Sequence, residues 1–179
     1  MRRLIGAVSV LLTLTSACMP YQVFPPKVLE GIDPNFDFSH WQARPNQPER
    51  HKIQLGGRIV QSQTTGDGVT IVAIQLPIAE HPTYGPRDMG KPSGRFTILY
   101  QGNIDPLYLH VGNHLLAAGY TRPPTTVEID HIPRSFPTMT AQCIHFWNTG
   151  GIAIEDFHSS GAGYSTLWEE TYCEVLPER

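Results

Sequence analysis

From His51 onward the chain alternates apolar and polar positions in short runs, the period-2 pattern of strands that bury one face. Lys52-Ile53-Gln54-Leu55, the pair Gly56-Gly57 and then Arg58-Ile59-Val60 read as one strand, broken at the glycines by a bulge or a tight coil. Gly66-Asp67-Gly68 supplies turn chemistry, and Val69 to Leu76 is the return arm of a hairpin that Pro77 ends. A loop of about 16 residues follows, and loops of that length are usually functional or mobile. Gly94 to Tyr100 is the third strand, and Asp105-Pro106-Leu107-Tyr108 is a short helical turn with Asp105 as N-cap and Pro106 at the first helical position. Leu115 to Tyr120 makes a fourth strand, Thr125 to His131 continues or neighbours it, and Met139 to Trp147 makes a last one. The expected fold class is all-β: a small OB-fold-like Greek-key barrel with one short helical turn, preceded by a signal peptide and a Pro-rich tether.

The N-terminal pattern is of another kind. Arg2 and Arg3 precede an apolar run from Leu4 to Leu14, and Thr15-Ser16-Ala17 then offers small residues for cleavage. This is an export signal, too short in its apolar part to span a bilayer, for which about 20 residues are needed. Leu14-Thr15-Ser16-Ala17-Cys18 resembles the bacterial lipobox, in which the Cys thiol takes a diacylglyceryl group and becomes the mature N-terminus. Small residues at Thr15 and Ala17 also suit ordinary signal peptidase, which would release a soluble protein. Met19 stands where Asp would favour the inner membrane, so the lipidated form is expected in the outer membrane of a Gram-negative cell. The expected organisation is a lipoprotein signal peptide over 1–17, an extended tether over 18–50, a barrel domain over 51–148 and a turn-rich acidic extension over 149–179. Six prolines between Pro20 and Pro48 argue for the extended tether.

Composition narrows the partners. Sixteen glycines and sixteen prolines favour short elements joined by turns. The formal net charge is −3, and losing Arg2 and Arg3 with the signal makes it more negative. No basic run exists, so nucleic acid and anionic headgroups are poor partners and attachment to a membrane falls to acyl chains. Of three cysteines, a lipidated Cys18 leaves Cys143 and Cys173 as an even pair in an oxidising compartment. A disulfide between them would close a loop of about 30 residues and contribute on the order of 3 kcal/mol. The alternative is two separately buried thiols acting as small hydrophobes.

Several short motifs in order carry a family resemblance. Leu55-Gly56-Gly57-Arg58-Ile59, Leu76-Pro77, Gly94-Arg95-Phe96, Ile104-Asp105-Pro106-x-Tyr108, Gly119, Phe136-Pro137 and His145-Phe146-Trp147, following the lipobox, resemble the Slp family of starvation-inducible outer-membrane lipoproteins. The resemblance covers residues 18 to about 148. Gln54-Leu55 departs from the family's usual Arg-Trp, and the stretch from Gly150 to Arg179 lies outside it. It implies an outer-membrane lipoprotein linked to starvation and acid stress, and it carries over one functional residue, Cys18.

No catalytic or metal-binding motif is expected and no cofactor. His110 and His114 are spaced for one helix face, but Gly112 and Asn113 between them argue for a surface turn. Glu128 and Asp130 read as solvated charges, with His131 on the other strand face. Gly161-Ala162-Gly163 reads as a loop rather than a dinucleotide fingerprint. Gly94, Arg95 and Asp105 find structural uses in strand entry, an ion pair and a cap. The leading functional reading is a non-enzymatic envelope binding or structural module with a possible envelope protein partner. The alternative is a periplasmic enzyme or metal-binding protein using the 77–93 loop with His81, Asp88, His110 and His114.

Overall fold

The computed structural model describes residues 23–79, 84–91, 93–154 and 168–174. The export signal, Cys18, His81 and Gly161-Ala162-Gly163 lie outside the described residues. The chain is mostly strand: β1 (Lys52–Thr65), β2 (Gly68–Leu76), β3 (Ile78–Ala79), β4 (Gly85–Pro86), β5 (Arg95–Tyr100), β6 (His114–Ile129), β7 (Ile132–Trp147) and β8 (Glu169–Cys173). Two short helices, α1 (Pro26–Leu29) and α2 (Phe38–Ala43), precede them, and a 3-10 turn at Pro106–Leu109 joins β5 to β6.

The sheet runs β5-β2-β1-β6-β7-β8, and a parallel pairing of β5 with β7 closes the first five of these strands into a ring. Closure removes open edges from the ring. β7 makes this possible by dividing its length. Thr138 to Thr140 pair with β5, whereas Cys143 to Trp147 pair with β8. The helical turn begins as expected, with the Asp105 carboxylate accepting from the Leu107 N–H at 2.8 Å and Pro106 in the first position.

Alternation along the strands fills the barrel. Ile53, Leu55, Ile71, Ala73, Phe96, Ile98, Leu115, Ala117, Ile144 and Phe146 share one buried cluster. Leu116, Ala118, Cys143 and Trp147, at the intervening positions, form a second cluster with Phe24 and Val28. The run Leu115-Leu116-Ala117-Ala118 is therefore apolar throughout because β6 is covered on both sides.

Three expectations need correction. Residues 23–50 are not an extended tether. Phe24, Val28, Phe38 and Trp41 are buried at 3–7% exposure, and Phe38 meets Phe96 of β5 edge-on at 5.9 Å. The carboxylate of Asp37 caps α2 by accepting from Ser39 and His40 N–H at 2.8 and 3.1 Å, so proline here punctuates a folded segment. Gly56 and Gly57 do not break β1: both pair in unbroken register with β2 and β6, and the irregularity falls between Ile59 and Gln61. A Cβ on Gly57 would lie 3.0 Å from the Ile74 carbonyl oxygen, so the glycine serves close strand approach. Finally, the C-terminal extension contains β8, which adds to the sheet through Cys143 opposite Cys173.

Candidate functional site

The strongest concentration of buried polar chemistry lies at one end of the barrel, where three loops meet the start of β6. Asp88, just after β4, directs Oδ1 at Arg58 Nη1 (3.2 Å) and Oδ2 at His114 Nε2 (2.6 Å). The same Oδ2 accepts from the Ile154 N–H at 2.6 Å, and the Asp88 N–H returns a bond of 2.6 Å to the Ile154 carbonyl. On the far side of the imidazole, His114 Nδ1 lies 2.9 Å from Thr149 Oγ1, which donates to the Gly112 carbonyl at 3.0 Å.

Local sequence explains each placement. Asn113 turns the chain into β6 by donating from its amide to the Leu107 and Tyr108 carbonyls, both at 3.2 Å. Its Oδ1 accepts from the Gly150 N–H at 3.1 Å. Gly112 has φ of 93°, and a Cβ there would stand 2.6 Å from Gly151 Cα, so the two turns abut through glycine alone.

His114 is fully buried. Burial is the largest influence on it and holds its pKa below the ordinary value, Asp88 pulls the other way, and Arg58 adds to the lowering. A carboxylate only accepts, so at 2.6 Å from Asp88 Oδ2 the Nε2 atom carries the ring proton. The Thr149-His114-Asp88 connectivity is that of nucleophile, base and orienting carboxylate. Yet Thr149 is 3% exposed and its proton is committed to a carbonyl, so the arrangement works as a clamp joining residues 87–90, 110–114 and 148–154.

The structure separates the residues grouped by sequence spacing. His114 is not in a surface turn: it opens β6, while His110 is exposed in the turn before it. Asp88 and His114 meet, His110 does not join them, and among the described residues no three His, Cys, Asp or Glu side chains are grouped to hold a metal. Glu128 and Asp130 are exposed. Arg58 and Thr149 were missed. Arg58 carries a signal in hindsight, a charge within an apolar strand immediately after two glycines, whereas Thr149 has none.

A second polar cluster lies on the outer face of β7. His145 Nδ1 sits 2.7 Å from Thr171 Oγ1, Nε2 is 3.5 Å from Glu169 Oε2, and the ring meets Trp147 edge-on at 4.3 Å. Burial pushes the His145 pKa down to about 4. Two pairs further from the clamp, a disulfide joins Cys143 to Cys173 across the β7–β8 ladder.

The fold is a small β-barrel with an N-terminal segment packed onto its wall. The chain belongs to the outer membrane lipoprotein Slp family, whose model matches residues 15–172. The match extends into β8 as far as Tyr172, beyond the stretch that the sequence motifs cover. The protein is thus a lipid-anchored component of the outer membrane of Gram-negative bacteria. No curated protein matches the chain, and no solved structure does.

Proposed function

We propose that Cys18 is the lipidated mature N-terminus, bearing diacylglycerol and an amide-linked acyl chain such as palmitate, and that the domain is a non-enzymatic binding or structural module of the envelope. The observation that carries this reading is the family match beginning at residue 15, which takes in Thr15 to Cys18. Several acyl chains would hold the protein where one would not, since each buried CH₂ contributes about 0.8 kcal/mol. The barrel is of the OB type: its ring order, its parallel β5–β7 closure and the helical turn after β5 support that assignment.

A non-enzymatic role is supported by the clamp, whose hydroxyl is bonded inward and whose imidazole has no exposed surface. The link to starvation or acid stress comes from the family resemblance. The disulfide between Cys143 and Cys173 forms on export to an oxidising compartment.

Intact mass of protein extracted from membranes, beside a Cys18→Ala variant, tests the anchor. A mass beginning at Cys18 with the lipid additions, and release of the variant from the membrane, is the expected result. An unmodified mass in a soluble pool overturns it. For the module role, deletion should alter envelope permeability or acid survival, or the protein should capture an envelope component. Failure of all three removes it.

A further inference from the structure

We propose that the clamped end of the barrel is a lipid-docking platform, with Met89, Val111, Ile152 and Trp168 seated in the interfacial layer of the bilayer that holds the anchor. This rests on lipidation at Cys18 and deepens that reading by fixing which face meets the membrane.

Four of the large apolar side chains most open to solvent are Met89 (59%), Val111 (68%), Ile152 (72%) and Trp168 (68%). They come from four separate stretches of chain, and backbone bonds bring those stretches to one place. Asp88, beside Met89, exchanges bonds with Ile154, two residues from Ile152. Gly112, beside Val111, abuts Gly151, beside Ile152. The Trp168 carbonyl accepts from the Asn148 N–H at 2.9 Å. Ile132, the remaining large exposed apolar residue among the described residues, belongs instead to the β6–β7 hairpin tip at the opposite end of those strands.

The shape selects the occupant. Side chains on adjoining turns project outward, whereas sites for small molecules are concave. Trp is suited to the bilayer interface, where its ring is apolar and its N–H stays wet. The charges beneath are already compensated, because Asp88 is 9% exposed and held by Arg58 and His114. The anchor geometry agrees. Four residues lie between Cys18 and Val23, five steps that span at most roughly 18 Å of extended chain. Phe24 then packs in the cluster that contains Trp147, the residue before Asn148. The anchor is therefore tied within roughly 18 Å of the wall that β6 and β7 present to Phe24, the two strands that border the platform.

Tryptophan fluorescence tests this in the full lipidated chain. Of the three tryptophans, Trp41 and Trp147 are 4% and 3% exposed, so Trp168 reports the surface. In vesicles of phosphatidylethanolamine and phosphatidylglycerol carrying brominated acyl chains, emission should be quenched and blue-shifted, and a Trp168→Phe variant should lose both effects. A companion full-length Cys18→Ala chain, with and without Met89→Ser, Val111→Ser, Ile152→Ser and Trp168→Ser together, measures residual vesicle binding without the anchor. The fourfold variant should bind at least tenfold more weakly while keeping its circular dichroism. Unquenched Trp168 in protein shown by mass to be lipidated overturns the platform while leaving the anchor intact. Self-association that the fourfold change abolishes, with vesicle binding unaltered, overturns it in favour of a second copy.

Discussion

Asp88 and His114 stand 26 residues apart in sequence and share a hydrogen bond of 2.6 Å, with the imidazole fully buried. The same carboxylate oxygen takes the Ile154 N–H, so one side chain holds the loop after β4, the first residue of β6 and the loop after β7. An Asp88→Ala change leaves the Ile154 N–H and His114 without their partner, and should cost about 3 kcal/mol. Chemical denaturation measures the total. Hydrogen exchange at Ile154 should quicken by more than exchange in β2, because the damage is local.

Acid should weaken the fold through its buried histidines. The unfolded His145 side chain titrates near about 6.5, and the folded one at about 4. Between these values the unfolded chain takes up a proton that the folded chain refuses, so stability present above about pH 6.5 is lost as pH falls toward 4. The His145 contribution is on the order of 3 kcal/mol, and His114, also lowered, acts in the same direction. Glu169, which faces His145, has its own pKa raised by burial and works the other way, protonating earlier in the folded state. Thermal melts at about pH 7 and about pH 4.5 should differ, and His145→Asn should narrow the difference.

Breaking the link between Cys143 and Cys173 should release β8. Loop-closure entropy puts the loss at about 3 kcal/mol for the double Cys143→Ala and Cys173→Ala variant. Release also bares the β7 edge from Cys143 to Trp147, so the variant should aggregate more readily. Light scattering on heating reads this. With Cys18 acylated, the native protein should show no free thiol until it is reduced.

Deleting residues 23–50 should unfold the barrel instead of shortening a linker. Trp41, 4% exposed and packed edge-on against Phe38 at 5.9 Å, is a single-residue version of the same test. Trp41→Ala should cost about 3–5 kcal/mol, measured by urea titration.

The strands of the ring were legible because their apolar positions alternate and because Asp67-Gly68, Pro77 and Asp105-Pro106 mark where they stop. The covering segment was not. Phe24 and Val28 are four apart and Phe38 and Trp41 three apart, but α1 spans only Pro26–Leu29 and α2 only Phe38–Ala43, too short to repeat a helical pattern. β8 escaped notice for a related reason: Glu169-Glu170-Thr171-Tyr172-Cys173 has little apolar content, and its strand form comes from the β7 edge beside it. At the clamp, Gly112-Asn113 did mark a turn. His114 belongs to the strand beyond it, and the apolar run from Leu115 was the available signal that burial begins there.

The packing of residues 23–50 onto the barrel sets how much of the cell this protein can explore. With attachment at Cys18, an extended arm from there to Arg50 would sweep a hemisphere with a radius of about 110 Å. The folded arm leaves one of roughly 18 Å, and accessible volume scales as the cube of that radius, a contraction of more than a hundredfold. Whatever the domain contacts must come to it in the plane of the membrane, and encounter becomes a matter of lateral diffusion.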